Sequence, residues 1–396
     1  MLYRLITARL QATSLLRLTL FSTPLLDEMV SGFLSIGLPL ANKQLGLDYT
    51  QVGLLFGAGA LAALVLDPFI NLLSDRYAKR YWILGGLVLL GVGFALASIH
   101  NFVLLLGAFA LIYVSISAAV GLSEAALIDQ NPQESARTMT RWTIMASIGD
   151  LLGPILVSLI IIQEGGWSRL CWIACIACLT MACILGVQRF PRTAQNDDEE
   201  GEDAPSVRLL DGFREALRDT KLIRWTILSL LPTMVDEIFI VYATFYLRDV
   251  LSVNTSTIGI LIAIHMIGGF LGLFVIDRVL LQRLSPERLL MCLALFVIAS
   301  MVGFLTLRSA IWAGVMLFLL GVSVAGLYPI ATAEAYKRFP GRSGTVRAVA
   351  SLGTPFEVVL PYVTGFVADR FGVVASLCLL GTAPLLIILL TPGKSR

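Results

Sequence analysis

Six carboxyl groups and one imidazole lie near the middle of long apolar runs in this chain: Asp27, Glu28, Asp150, Asp236, Glu237, Glu357 and His265. No Lys or Arg accompanies them there. Apolar surroundings favour the protonated carboxyl, and a carboxylate neighbour favours it further, so such groups can take up a proton on one side of a barrier and release it on the other. The same negative charge attracts cations and repels anions, which predicts a cationic or neutral ligand. Successive helical residues point about 100° apart, so one member of each Asp-Glu pair faces a given cavity. Glu28 shares a helical face with Ser31, Gly32 and Ser35, and Glu237 with Thr233 and Thr244, which favours the glutamates. A blander reading stays open, in which protonated acids hydrogen-bond between helices and simply hold them together. For His265 both readings stand, because Gly268, Gly269 and Gly272 point to close packing.

The elements that must position these groups are built for hydrocarbon. Hydrophobic residues make up 57% of the 396 and charged ones 14%, with a mean hydropathy of +0.84. A soluble domain carries roughly 25% charged residues, so this composition excludes an ordinary soluble globule. Windows of about 19 residues predict twelve spans, near 18–40, 50–72, 81–99, 102–126, 139–162, 168–188, 223–247, 255–276, 287–306, 309–333, 346–367 and 372–391. With a cytoplasmic N-terminus, the inside segments hold 24 of the 29 Lys and Arg, leaving Lys43, Arg169, Arg248, Arg308 and Arg370 outside. Both termini are therefore expected in the cytoplasm, and the chain in a plasma or bacterial inner membrane. The first apolar segment lacks a small-residue cleavage site and reads as a retained span. All six cysteines fall inside spans; Cys171, Cys175 and Cys178 share a helical face and read as packing residues.

The most polar stretch divides the chain into residues 1–188, a cytoplasmic linker over 189–222 and residues 223–396. The acidic run 196–203 cannot bury enough apolar surface to fold alone, whereas Leu209, Leu210, Phe213 and Leu217 are spaced as a short surface helix. Four correspondences relate the halves: Asp27-Glu28 with Asp236-Glu237, Asp75-Arg76 with Asp277-Arg278, Glu124 and Arg137 with Glu334 and Arg347, and Asp150 and Pro154 with Glu357 and Pro361. Such repeats are usual in secondary transporters, whose solute binds near the midplane between them. Asp67, Asp75, Arg76, Arg80, Glu124, Arg137, Asp277, Arg278, Glu334 and Arg347 collect at the cytoplasmic ends and are expected to form a salt-bridge latch, with Glu124 and Arg137 as one pair. Gly149, Gly153, Pro154 and Pro361 permit bending or close approach.

In topology the chain resembles the major facilitator superfamily over nearly its whole length. Asn71-Leu72-Leu73-Ser74-Asp75-Arg76-Tyr77-Ala78-Lys79-Arg80 keeps the Asp, Arg and basic pair of that family's loop between helices two and three, and replaces its glycines. Gly149-Asp150-Leu151-Leu152-Gly153-Pro154 matches the start of its antiporter-associated fifth-helix pattern, then departs at Val157 and Ser158. The fourth-helix Arg of its proton-driven drug exporters is missing from residues 103–128, while Tyr328-Pro329, Glu334, Arg342 and Arg347 look like the charge network of its sugar porters. The expectation is an all-α membrane protein of twelve transmembrane helices in two pseudo-symmetric six-helix bundles. The resemblance implies a proton-coupled secondary transporter, monomeric in the bilayer, and an exporter of a small organic solute. It implies no enzyme activity, cofactor, metal site or nucleic-acid partner. A divalent-metal transporter using His265, Met234 and Met266, or a transporter-like sensor or channel, are the alternatives.

Overall fold

Hydrocarbon offers peptide groups no hydrogen-bond partner, so a crossing segment must close its own ladder. The computed structural model describes residues 2–34, 46–47, 49–160, 166–188, 190 and 205–392, and these are helices joined by short turns, with no strand among the described residues. In order they form α1 (Leu2–Gly32), α2 (Tyr49–Ser74), α3 (Lys79–Ala97), α4 (Phe102–Gln130), α5 (Ser135–Ile160) and α6 (Gly166–Gly186). After α7 (Pro205–Arg218) come α8 (Thr220–Val250), α9 (Thr257–Arg283), α10 (Pro286–Thr306), α11 (Ala310–Tyr336), α12 (Ser343–Ala350), α13 (Thr354–Phe371) and α14 (Val373–Leu390). Among the described residues nine helices are long and apolar enough to cross a membrane: α2, α3, α4, α6, α8, α9, α10, α11 and α14. The other three expected spans fall on α1, α5 and α12 with α13, the helices that carry Asp27, Glu28, Asp150 and Glu357. The ends expected for spans one and five, and the acidic part of the linker, lie outside the described residues.

Several irregularities interrupt the helices. The eleventh span, expected to be continuous, is broken by a tight turn at Ser351–Gly353, because Pro355 has no N–H to continue the ladder and starts α13 instead. Within α8 the helix stops after Pro232–Val235 and restarts at Glu237, leaving Asp236 at φ −112° and ψ −91°. Within α4 the ladder widens into a π-turn at Ser117–Gly121. By contrast α5 and α13 remain helical through Pro154 and Pro361.

The chain forms two compact units. Unit one holds Met1–Asn131, Met145–Glu215 and Phe339–Ser351, and unit two holds Pro132–Ile144, Ala216–Arg338 and Leu352–Arg396. Each thus takes one short segment from the other half of the sequence. In unit one Cys171, Cys175 and Cys178 are buried on α6, where the Cys175 carbonyl lies 3.4 Å from the Cβ position of Gly91. A Cβ added at Gly149 would overlap the Leu25 carbonyl and lie 2.9 Å from Cβ of Glu28, while one at Gly153 would lie 3.0 Å from the Met29 carbonyl. Missing side chains therefore bring α5 onto α1 at the level of its two acids. In unit two Gly268 and Gly272 of α9 meet the backbone of α11 at Phe318 and Val322. Large exposed apolar residues such as Phe69, Val103, Ile176, Ile311 and Leu389 suit contact with lipid.

α7 forms where a surface helix is expected. It leads into α8 through Asp219, whose carboxylate accepts from the backbone N–H of Lys221 (2.9 Å) and Leu222 (3.1 Å) and from Arg338 Nη2 (2.8 Å). Burial pushes the Asp219 carboxyl up, but these hydrogen bonds and the Arg338 charge outweigh it and hold the group below its ordinary value of 3.8.

Two outcomes are expected. Gly149→Ala forces a Cβ into the α1 backbone and should cost about 1–3 kcal/mol, read as a lower thermal unfolding midpoint. Gly107→Ala, which meets nothing within 4 Å, should change stability by less than about 0.5 kcal/mol. Because the folded-state value of Asp219 is depressed, its contribution is complete above the ordinary carboxylate range and disappears as pH falls through the folded value. The stability gap between the unaltered protein and Asp219→Asn should therefore shrink as the pH is taken from 6 to about 3.

Candidate functional site

The charged groups at the ends of α2 and α4 come together in unit one. The Asp75 carboxylate, one residue past α2, accepts the backbone N–H of Gly344 (2.8 Å) and Thr345 (2.6 Å) and the Thr345 hydroxyl (2.6 Å). These are the first amides of α12, whose helix dipole and unpaired N–H groups attract an anion. A side chain at residue 344 would overlap the Asn71 carbonyl, so glycine is what lets α12 seat on α2. Lys79 Nζ bridges Asp75 (3.4 Å) and Asp129 (2.9 Å), and Asp129 also accepts from the Ser343 hydroxyl at 2.8 Å. One helical turn further along α12, Arg347 Nη1 stands 3.3 Å from Glu124 Oε1, their side chains 22% and 6% exposed. The guanidinium packs on Gly121, where any Cβ would overlap it, at the end of the π-turn in α4. It also acts electrostatically on Asp67 and Asp27. Arg80 Nη2 donates to the Gly186 carbonyl (2.6 Å) at the end of α6, and Arg76 lies over the Tyr77 ring.

In unit two the equivalent acid, Asp277, is 5% exposed and meets Arg137 (3.5 Å) and Arg141 (3.3 Å) from the Pro132–Ile144 segment, with Arg278 at 3.9 Å. The matching positions Asp75 and Asp277 thus receive a helix terminus in one unit and arginine side chains in the other. Glu334 pairs with Lys337. The equal thirteen-residue spacings suggest Glu124 with Arg137; in the structure Glu124 meets Arg347, and Arg137 meets Asp277 and Glu134 (3.9 Å).

Of the seven groups expected near mid-membrane, two sets come together. In unit one Asp27 feels the charge of Asp150 across the close contact of α1 with α5, and its Oδ1 is buried with no hydrogen-bond partner. Asp67 of α2 likewise has a buried Oδ1 without such a partner. In unit two His265 Nε2 stands 3.8 Å from Asp236 Oδ1. Glu28 is half-buried, whereas Glu237 and Glu357 are exposed, Glu357 in the first turn of α13. The groupings also include Asp129, Arg141, Ser343, Gly344 and Thr345, which residue type and spacing alone do not single out. A helix-start signal is present for the last three, since Ser and Thr follow the Pro340-Gly341 turn, although Arg342 takes the cap position itself. No group of three or more His, Cys, Asp or Glu that could hold a metal ion occurs among the described residues.

Residues 20–356 match the family model described as Major Facilitator Superfamily. Over 129 residues the chain is 31% identical to the quinolone resistance protein NorA of Staphylococcus aureus, a stretch covering 31% of this chain and 33% of that one. The match thus spans about a third of the length of that relative. The uncharacterised transporter YfkL of Bacillus subtilis is 21% identical over 353 residues, 87% of each chain. Among solved structures, the fucose:proton symporter FucP of E. coli superposes with a TM-score of 0.75 at 19% identity, covering 96% of this chain and 98% of that one.

The Glu124–Arg347 contact is open to a double-mutant cycle on thermal stability. Glu124→Gln and Arg347→Gln should show a coupling of about 1 kcal/mol or more. Effects that add to within about 0.3 kcal/mol would assign Arg347 to another partner.

Proposed function

The chain belongs to the major facilitator superfamily and is a transporter, and on that premise we propose that it exports a small cationic or neutral organic solute in exchange for protons by alternating access. The observation that carries this reading is Asp27: a carboxylate with one enclosed oxygen that has no hydrogen-bond partner, on a helix packed closely against α5, whose exposed Asp150 acts on it electrostatically. Negative charge on Asp150 disfavours ionisation of the enclosed Asp27, so the grouping favours holding a proton there. A bound organic cation would relieve the same repulsion, so proton and solute compete for one negative site, which is the requirement for exchange. The driving force on each charge is about 2.3 kcal/mol per 100 mV of membrane potential.

The latch residues supply the second requirement, two states that are each held by contacts. Asp75 on the α12 amides, Lys79 between Asp75 and Asp129, Arg347 on Glu124, and Arg137 with Arg141 on Asp277 form the cytoplasmic set. On this reading these contacts hold one state and are exchanged for others in the alternate state. Arg347 links the two requirements, since its charge acts on Asp27 as well as bonding Glu124. Export rather than uptake is supported by the local likeness to NorA and by the Gly149–Pro154 pattern. A divalent-metal substrate would call for several donor side chains gathered at one point, and no group of three or more His, Cys, Asp or Glu that could hold a metal ion occurs among the described residues.

The test is flux in proteoliposomes with an imposed pH gradient, using ethidium and a fluorescent quinolone as probes. Asp27→Asn should lower gradient-driven flux at least about tenfold. Unchanged flux in that variant would remove Asp27 from the coupling step, and failure of the unaltered protein to move either probe would overturn the proposed solute class.

A further inference from the structure

A second titratable grouping lies in unit two. We propose that His265 and Asp236 form a proton-binding site, in which the proton is held on Nε2 of His265 and faces the carboxylate at the break in α8. The proposal deepens the transport reading above and rests on it for what the proton does, though not for whether the proton binds.

The ring orientation carries the argument. Nδ1 of His265 lies 3.0 Å from the Leu317 carbonyl oxygen. A carbonyl can only accept, so Nδ1 bears the hydrogen, and the basic lone pair of the neutral ring is left on Nε2. That nitrogen points toward Asp236 Oδ1 at 3.8 Å, too far for a direct hydrogen bond and close enough for an ion pair once the ring is protonated. The ring is fixed. His265 is 3% exposed, its own carbonyl presses on Gly321, and Gly268 and Gly272 below it lock α9 onto the α11 backbone.

Asp236 is the opposite kind of group. It sits outside helical geometry between two short helical pieces, and its side chain is 49% exposed. An exposed acid at a helix break next to a buried base of fixed tautomer provides a short route: a proton from water reaches the carboxylate, and as the acid closes to hydrogen-bond distance of Nε2 its O–H bond breaks and an Nε2–H bond forms. Charge then holds Asp236 against the ring, so occupancy of the site bears on the geometry of the break.

Few other charges bear on the ring. Facing it, the Ala310–Val324 part of α11 carries no ionisable side chain, and His265 is the one such residue in Thr255–Val275. From α8 come Glu237, which is exposed, and Tyr242, which is buried, while Arg248 and Asp249 pair with each other at the far end of that helix.

The chain has two histidines, which makes the test direct. In protein labelled with 15N-histidine, two-bond proton–nitrogen correlation spectra report the tautomer and the titration of each ring. His100, exposed at the turn between α3 and α4, serves as the internal reference. The neutral His265 ring should be the Nδ1–H tautomer. Asp236→Asn should weaken its proton affinity about tenfold and Asp236→Glu by less than about threefold, with His100 unchanged in both. An Nε2–H tautomer in the unaltered protein overturns the proposal, as does a proton affinity within about twofold of the original in Asp236→Asn. The tautomer measurement needs no variant, so a misfolded substitution does not remove the test. Absence of gradient-driven flux alongside the expected titration would overturn the transport reading and leave this site standing.

Discussion

A carboxylate in hydrocarbon must be given either a partner or a proton, because no solvent is present to share its charge. Much of the architecture obeys that constraint. Where α1 carries Asp27 and Glu28, α5 offers glycines instead of side chains, so that the two helices touch and the acids stand at a protein contact. Where α8 carries Asp236, the helix opens and a buried imidazole faces the gap. Several other acids sit at helix ends, where amide groups or basic side chains are available. Asp75 on the start of α12 and Asp219 on the start of α8 are the two clearest cases.

The two halves repeat their acids without repeating their chemistry. Asp75 meets backbone amides, Asp277 meets guanidinium groups, and Glu124 and Glu334 take an arginine from the other half and a lysine from the next turn, respectively. Such divergence suits a device with two states. If both sets of contacts were identical, neither half would differ in what it costs to release. The exchange of Pro132–Ile144 and Phe339–Ser351 between the compact units makes the same contacts part of each unit's own packing.

Much of this is legible in the order of residues. The membrane class, the crossing segments, the matched acids and the short helix over 209–217 all come from composition, periodicity and turn residues, which are local properties. Local reading is less successful where proline and a charged side chain act together. The eleventh span reads as one helix because apolar residues continue on both sides of Gly353-Thr354-Pro355, although the backbone there cannot continue its ladder. The break at Asp236 is hidden for the same reason.

The sequence by itself determined that this protein crosses the membrane on apolar helices and carries matched acids within them. Hydrophobicity and charge belong to each residue wherever the chain places it, so no fold is needed to count them. Only the tertiary structure decided which acid meets which base. Asp75 and Thr345 are 270 positions apart, and the tautomer of His265 depends on a carbonyl 52 positions away. Hydrogen bonds act over about 3 Å, a distance that spacing along the chain does not report.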